Sequence, residues 1–377
     1  MGDCHLGGWR QPELRQLNLE SFRFVINTAI KEKIDFVLIA GDLFDSAYPP
    51  IETIKETFEE FRKLKDSNIP VFFIAGSHDF SASGKSFLDV IEKAGFAKNV
   101  FSGEEKGESI ILHPTLYKNV AIYGYPGRKS GLEVKDIERI KIQDSPGLFR
   151  IMMLHTSIRD AVKDLPIPAV DQTKLPKVDY LALAHLHINY NKNSMVYCGP
   201  TFPNNAEELE ELKGGSFYIV DTKGSIEKRQ INLKDIFILN FKVKNAISST
   251  DEIIAELKKH DLKDKIIILK LSGSIEAGRV SDIKFAEIEE FLARQGSYVL
   301  LKSTSKLYTQ EPEMNIELNS SNLEDEIISR FMENNKHKLN DFAHDLINIL
   351  QAEKKEEEKS SVFEERIISE FQKYLEI

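Results

Sequence analysis

Short runs of β-branched, aromatic and other apolar residues recur through the first 200 positions, and each ends in a cluster of Asp, His, Asn or Gly. Between them lie helical patterns, at 51–65 and 86–93, with apolar residues three and four apart. The runs themselves are 36–40, 71–75, 120–123, 151–154 and 180–184. This alternation predicts an α/β layered domain, closed by a hairpin formed from 216–221 and 227–232.

The pattern changes at about position 236, where a second group of shorter elements begins. Its predicted strands and helices, in chain order, are 237–243, 250–260, 266–271, 282–294 and 298–302. They predict a small α+β domain without clustered His or Asp, which therefore shapes the substrate site or is purely structural. We divide the chain into 1–235, 236–310 and 311–377.

The last segment carries two helical patterns. A capping-box sequence at 321–324 precedes an apolar face that recurs with helical spacing over 339–350. A charged linker, 353–359, separates it from a helix whose stripe is Phe363, Ile367, Phe371 and Tyr374. Such a stripe either packs in a core or docks in a partner's groove, and periodicity alone leaves both open.

Composition narrows the class of protein. Of 377 residues, 41% are hydrophobic and 29% charged, and no apolar run approaches the roughly 20 residues of a membrane span. The first ten residues lack a secretory pattern, and two cysteines, Cys4 and Cys198, favour a reduced protein. We therefore expect a cytoplasmic protein without a membrane partner.

The net charge of -10 argues at first against a nucleic-acid partner. Much of the acidity lies in the tail, because 323–377 holds 14 acidic and 8 basic residues. A bound pair of divalent cations adds about four positive charges to a site, so the balance does not exclude a polyanionic substrate.

Histidines and aspartates gather at the ends of the apolar runs. Five of the nine histidines do so: His5, His78, His155, His185 and His187. Asp3 lies two residues before His5, and Gly41-Asp42 directly follows the first run. Strand ends converge at one sheet edge, and in an extended segment residues two apart point the same way.

A lone histidine in such a place is more often a core or loop residue, but five with two aspartates predict a metal centre. Mixed oxygen and imidazole ligands suit manganese, iron or zinc better than calcium. Two such ions about 4 Å apart, bridged by a carboxylate, serve phosphoester hydrolysis. The remaining histidines are expected on the surface: His113, His260, His337 and His344.

The order Asp-x-His, Gly-Asp-x-x-Asp, Gly-x-His-Asp, lone His, His-x-His resembles the calcineurin-like metallophosphoesterases. The segments GDCHLG, GDLFDSAYPP, GSHD, MLHTS and ALAHLHINY, followed by VYCGP, resemble the meiotic-recombination-eleven nucleases and their bacterial SbcD relatives. The resemblance implies a four-layer α-β-β-α sandwich, a small α+β capping domain and C-terminal helices.

The resemblance also implies roles for individual residues. Asp3, His5, Asp42 and His187 would hold one manganese ion; Asp42, Ser77, His155 and His185 would hold the second, and other divalent ions fit the same ligands. His78 would protonate the leaving 3′ oxygen. Asp45 stands where some relatives have a histidine that assists exonuclease cutting, and is a candidate helper.

The implied activity is a manganese-dependent DNA nuclease, a 3′–5′ exonuclease and single-strand endonuclease that processes double-strand breaks in association with the nucleoid. The implied partners are DNA ends, an SMC-like zinc-hook ATPase bound through the C-terminal helices, and a second copy of the chain. In the family, two helices of this kind build a dimer bundle, and ordinary core packing is the other explanation of their apolar faces. The first face here is Ile54, Phe58, Phe61 and Leu64, and the second is Phe87, Leu88 and Ile91. The alternatives are a phosphatase of the same superfamily and a scaffold that binds DNA ends without cutting.

Two features depart from the family pattern. Members have a β-strand ahead of Asp-x-His, whereas only Met1 and Gly2 precede Asp3, so a further strand is expected there. Ser77 stands where the family generally has Asn. Because a serine hydroxyl is shorter in reach, we expect a weaker second metal site.

Overall fold

The computed structural model describes residues 1–81, 85–163, 165–309, 332, 340–352 and 360–375. The chain forms two compact units, Met1–Thr309 and Gln310–Ile377. The division of the first unit near 235 stays a prediction.

The elements of the first unit alternate between strand and helix. Its helices are α1 (Pro12–Lys31), α2 (Ile51–Asp66), α3 (Phe87–Lys93), α4 (Glu133–Ile137), α5 (Arg159–Val162), α6 (Ala206–Leu212), α7 (Ala246–Leu257) and α8 (Phe285–Arg294). Its strands are β1 (Val37–Ile39), β2 (Val71–Phe73), β3 (Lys98–Asn99), β4 (Gly103–Lys106), β5 (Ser109–Leu112), β6 (Thr115–Tyr117), β7 (Val120–Tyr125), β8 (Ile140–Ile142), β9 (Phe149–His155), β10 (Tyr180–Ala184), β11 (Asn189–Lys192), β12 (Met195–Cys198), β13 (Gly215–Val220), β14 (Ile226–Ile231), β15 (Ile236–Lys242), β16 (Ile266–Ile275) and β17 (Val299–Thr309). The α/β prediction is confirmed, and the predicted hairpin is β13 and β14.

Two sheets face each other at the centre of this unit. One is the parallel sheet β1-β2-β3, and the other is a mixed sheet of order β11-β12-β10-β9-β7-β6. Apolar side chains from both, among them Phe72 and Ile74 of the first and Ile122 and Met153 of the second, share one core. Helices α1, α2 and α3 cover the outer face of the first sheet, and α4 with β5 and β8 covers that of the second. The layers therefore follow the expected α-β-β-α order.

Helix α1 is the longest element and the sequence reading missed it. It begins at Pro12, whose fixed φ suits a first helical position, and it buries Leu14, Phe22 and Ile26 on one face. On that face the Asn18 side-chain amide donates to the Cys4 carbonyl over 2.8 Å. The helix thereby fixes the backbone between Asp3 and His5.

The apolar faces of α2 and α3 are buried inside the unit. Phe61, Leu64, Leu88 and Ile91 are at most 3% exposed and pack with β1 and β2. Phe58 is partly buried in the same core. Core packing thus explains the four most buried of these side chains, Ile54 and Phe87 are partly buried, and dimerisation stays a prediction.

A cavity of about 360 Å³ lies between β1 and β13, lined by apolar residues that include Val25, Val37 and Phe217. Met1 enters at its edge, where its amine donates to the Leu38 carbonyl over 3.0 Å and its carbonyl accepts from the Ala40 amide. The expectation of a further strand ahead of Asp3 stays a prediction.

The small α+β region is confirmed as a three-stranded parallel sheet, β15-β16-β17, with α7 and α8 packed on one face. Its other face packs against Trp9, Leu14 and Leu209. The predicted start of the first helix at 250 is wrong: α7 begins at Ala246, because the Asn245 side chain caps it by accepting from the Ile247 amide.

The second unit holds α9 (Ala343–Leu350) and α10 (Ser360–Leu375), which contact each other. The predicted capping box at 321–324, the start of the apolar face at 339 and the linker 353–359 lie outside the described residues. Among the helices described, none has the length and apolar character needed to cross a membrane.

Candidate metal centre

The strand ends of both sheets meet at one edge, as the sequence predicts. Asp42 follows β1, Ser77 and His78 follow β2, and His155 is the last residue of β9. His185 and His187 follow β10. The segment that carries Asp3 and His5 runs beside the end of β1, where their amides donate to the carbonyls of Gly41 and Asp42 over 3.1 and 3.0 Å.

The backbone at the site is not the extended one that the two-residue spacings suggested. Five site residues have positive φ angles between 43° and 107°, namely Asp3, His5, Asp42, His185 and His187. Non-glycine residues rarely adopt this region, and such conformations gather at functional sites. The side chains still converge, but these five do so from backbone with positive φ and not through strand alternation.

Asp3, His5 and His187 form the first group of converging ligand atoms. The Nε2 atoms of His5 and His187 are 3.1 Å apart. Each ring also has a carboxylate at Nδ1: Asp45 lies 3.2 Å from that of His5, and Glu208 3.1 Å from that of His187. Nδ1 is therefore the protonated nitrogen in each ring, and the two Nε2 lone pairs face each other. A cation between them fits this arrangement.

Asp3, Asp42 and His155 form a second group, and all three are buried. His155 Nδ1 donates to the Ala40 carbonyl over 3.0 Å, which directs Nε2 at Asp42 Oδ2, 3.2 Å away. Burial alone would raise the pKa of Asp42, but the charge of His155 and its hydrogen bond outweigh burial and hold that pKa well below its usual range. The carboxylate in turn raises the pKa of His155 to about 9 although burial opposes this. The ionised Asp42 carboxylate is thus stabilised by a positive charge close to it, and a divalent cation would supply such a charge as well.

Asp42 stands between the two groups. Its Oδ1 accepts from the His78 amide over 2.8 Å, and its Oδ2 lies 3.2 Å from His155 Nε2 and 3.6 Å from His5 Nε2. One carboxylate oxygen thus faces ligands of both groups, which is the position that a bridging carboxylate needs.

Ser77 and His185 lie beside the second group. Ser77 Oγ is 3.4 Å from Asp42 Oδ2. The His185 ring lies 5.0 Å from that of His155 between centroids, and its amide donates to both Asp3 carboxylate oxygens. Burial lowers the pKa of His185, so the neutral, ligating form of this ring is favoured.

His78 and Asp45 lie at the mouth of the site. The His78 ring is about half exposed and lies edge-on to His5, with centroids 4.6 Å apart. Its Nδ1 donates to the Asp45 carbonyl over 2.9 Å, which leaves Nε2 for proton exchange. The hydrogen bond from His5 lowers the pKa of Asp45 and keeps this side chain a carboxylate. Asp45 therefore contacts both a metal-ligand candidate and the proposed acid.

Two close glycine contacts explain the Gly-Asp and Gly-Ser-His-Asp sequences. A Cβ at Gly41, which has a φ of +99°, would lie 2.4 Å from His155 Nδ1, and one at Gly76 would lie 2.2 Å from Asp42 Oδ1. Neither His155 nor Asp42 can move away to make room, because both are buried ligand candidates. Any side chain at these positions would displace the site.

The sequence reading missed two carboxylates. Asp79, although part of a motif, received no role; it is buried and accepts from the amides of Leu43, Phe44 and Gly76 over 3.0 to 3.2 Å. It joins the loops that present Asp42 and Ser77. Glu208 lies in α6, apart from every motif, and no pattern in the sequence marks it.

The other histidines lie elsewhere. His113 and His260 are exposed, as predicted. His337 and the side chain of His344 lie outside the described residues.

The sequence profile of the calcineurin-like phosphoesterase family matches residues 1–189, which is half of the chain. The chain therefore belongs to the calcineurin-like phosphoesterases, and its clustered ligands lie within the matched part.

Within this class the chain is similar to archaeal proteins named DNA double-strand break repair protein Mre11. It is 28% identical to that of Methanosarcina mazei over 331 residues, which cover 82% of this chain and 50% of that protein. It is 28% identical to that of Methanocaldococcus jannaschii, covering 72% and 80%, and 26% identical to that of Archaeoglobus fulgidus, covering 88% and 83%. The chain spans about half the length of the Methanosarcina proteins it matches.

Proposed function

We propose that this chain is a manganese-dependent DNA nuclease that processes double-strand breaks, as a 3′–5′ exonuclease on duplex ends and an endonuclease on single strands. The observation that carries the proposal is the pair of ligand groups joined by Asp42 Oδ2. Membership of the phosphoesterase family supports the proposal that the bond hydrolysed is a phosphoester. Similarity to proteins named for double-strand break repair supports DNA as the substrate.

In this proposal Asp3, His5, Asp42 and His187 hold one divalent ion, and Asp42, Ser77, His155 and His185 hold the other. Two ions there would supply water activation and neutralise charge on the phosphoryl oxygens. The chain itself contributes the orientation of the ligands. Nδ1 of His5, His155 and His187 is held by Asp45, Ala40 and Glu208 respectively, so that each Nε2 is directed inward.

His78 supplies the proton for the leaving group. A water oxygen attacks phosphorus and that water gives up a proton to the surrounding solvent. The bond from phosphorus to the 3′ oxygen breaks, and the protonated His78 passes its Nε2 proton to that oxygen. The half-exposed ring lines the cleft, and the Asp45 carbonyl on Nδ1 leaves Nε2 directed at the leaving oxygen. Asp45 assists by holding this orientation.

The test is release of nucleotides from end-labelled duplex DNA, and cutting of circular single-stranded DNA, as manganese is titrated from zero. The proposal expects cutting that saturates with manganese and disappears in the Asp42→Ala variant. Faster turnover of p-nitrophenyl phosphate than of DNA would favour the phosphatase alternative. Metal-independent DNA binding without cutting would favour the scaffold.

We further propose that α9 and α10 bind the coiled-coil base of an SMC-like ATPase, and that the nuclease acts as a homodimer associated with the nucleoid. The C-terminal helices support the first part, because α10 carries the partly buried Phe363, Ile367 and Phe371, and Leu350 of α9 is 70% exposed. Removing residues 323–377 should abolish ATPase binding and leave manganese-dependent cutting. The buried residues of α2 and α3 do not identify the surface through which two copies would associate. The homodimer is therefore tested by measuring the mass of the purified chain by light scattering.

A further inference from the structure

A cleft of about 640 Å³ opens beside the proposed metal centre. Three loops bound it: 45–48 after β1, 77–81 after β2, and 128–131 after β7. Ser77, His78 and His185 are among its lining residues, so a phosphodiester held at the metal centre would have its neighbouring nucleotides beside this space.

Two aromatic side chains line the cleft and face solvent. Phe80 is 39% exposed and lies two residues after His78, and Tyr48, on another loop of the cleft, is 67% exposed. The backbone under Phe80 is fixed, because the adjacent Asp79 carboxylate accepts from three buried amides. A single exposed phenylalanine is ordinary on a protein surface. Two aromatic rings that line one cleft from different loops, one of them close in sequence to the proposed acid, are suited to a planar ligand.

The third loop adds positive charge. Arg128 is 3.1 Å from Asp136, which neutralises its guanidinium. Lys129 is exposed and has no ion-pair partner in the part of the chain that the structure describes. Its ammonium group is therefore available to a phosphate on a nucleotide next to the one being cut.

We propose that this cleft is a subsite for an unpaired DNA strand, in which bases stack on Phe80 and Tyr48 while Lys129 pairs with a flanking phosphate. Combined aromatic and cationic surfaces bind single strands in this way without reading their sequence. Stacking on a side chain requires a base with a free face. The subsite therefore selects frayed or single-stranded ends over fully paired ones. The inference rests on the proposed function for its ligand class.

The experiment compares two oligonucleotides of equal charge, oligothymidylate and a chain of abasic sugar phosphates. Affinity is measured by fluorescence anisotropy in EDTA, so that cutting plays no part. The full-length protein should bind the base-bearing strand about tenfold more tightly. Phe80→Ala and Phe80→Leu should reduce this preference without changing affinity for the abasic chain, and Phe80→Tyr should keep it. Lys129→Gln should weaken both strands alike and reduce the salt dependence by about one charge.

Phe24→Ala is the matched control, since Phe24 is 42% exposed on α1 and does not line the cleft. Melting temperatures establish that each variant is folded, and Phe80→Leu serves if Phe80→Ala is not. If Phe80→Leu loses affinity equally for both strands, or keeps the full preference for the base-bearing strand, the proposed subsite is wrong. Tighter binding of a phosphopeptide than of either strand would overturn it as well. A chain that prefers the base-bearing strand but cuts no DNA with manganese refutes the proposed function and leaves the subsite standing.

Discussion

Glu208 accepts a hydrogen bond from Nδ1 of His187 over 3.1 Å, although the two residues lie on different elements. The same carboxylate accepts from the Asn204 amide over 2.8 Å and from the Asn205 side chain over 2.7 Å. Burial alone would lower the pKa of His187, but this hydrogen bond and the negative charges of Asp3, Glu208 and Asp42 together raise that pKa. Glu208 thus positions a proposed metal ligand through the nitrogen that does not face the metal.

Glu208→Gln should weaken manganese binding about tenfold or more, the usual effect of losing such a partner. Glutamine has one acceptor oxygen where glutamate has two. Its NH₂ group must therefore face either His187 Nδ1 or the Asn204 backbone amide, and both of these are donors. Isothermal titration with manganese measures the change, and the exposed neighbour Glu207→Gln is the control. Unchanged affinity in a folded Glu208→Gln protein would show that the contact is only structural.

His78→Ala should lower kcat for DNA cutting at least about a hundredfold, because a removed general acid costs this much. Manganese content, measured by mass spectrometry of the metal, should stay at the wild-type level, since the ligands proposed for both ions remain. The exposed His113→Ala variant should cut normally. Loss of metal from His78→Ala would instead make His78 a ligand.

Ser77→Asn should lower the manganese concentration needed for half-maximal cutting. Ser77 Oγ lies 3.4 Å from Asp42 Oδ2, and the longer asparagine carries a carbonyl oxygen as a better neutral donor. Asp42, His155 and His185 still offer three ligands in the present chain, so activity itself is expected. If calorimetry finds two equally tight manganese ions in both proteins, the serine is a neutral replacement.

Asp79→Asn should reduce the free energy of unfolding by about 1–3 kcal/mol. The asparagine NH₂ group is a donor, so at least one of the three backbone N–H groups that Asp79 accepts from would lose its acceptor. Urea unfolding in EDTA separates this effect from metal binding. Glu105→Gln, at a side chain that is 79% exposed, should change stability little. A stability equal to wild type would mean that these loops are held by other contacts.

The sequence by itself determined five central strands and the chemistry at their ends. Apolar runs with period or length typical of buried strands place Asp42, His78 and His155 at strand ends, and parallel topology brings such ends together whatever the remaining contacts. The signals for α1 were also present, in Pro12 and the spacing of Leu14, Leu17 and Ser21, and went unread.

Only the tertiary structure decided how the ligands are oriented and which apolar faces are free. Nothing local in the sequence links His187 to Glu208 or Asp79 to Leu43, because side chains distant in sequence meet only when both sheets pack. Left-handed backbone at Asp3 and His5 is likewise imposed by hydrogen bonds to the end of β1, against the intrinsic preference of these residues. The sequence pattern of an apolar helical face such as that of α2 is the same whether the face packs in the core or binds a partner. Only the fold shows that Phe61 and Leu64 are buried in the core.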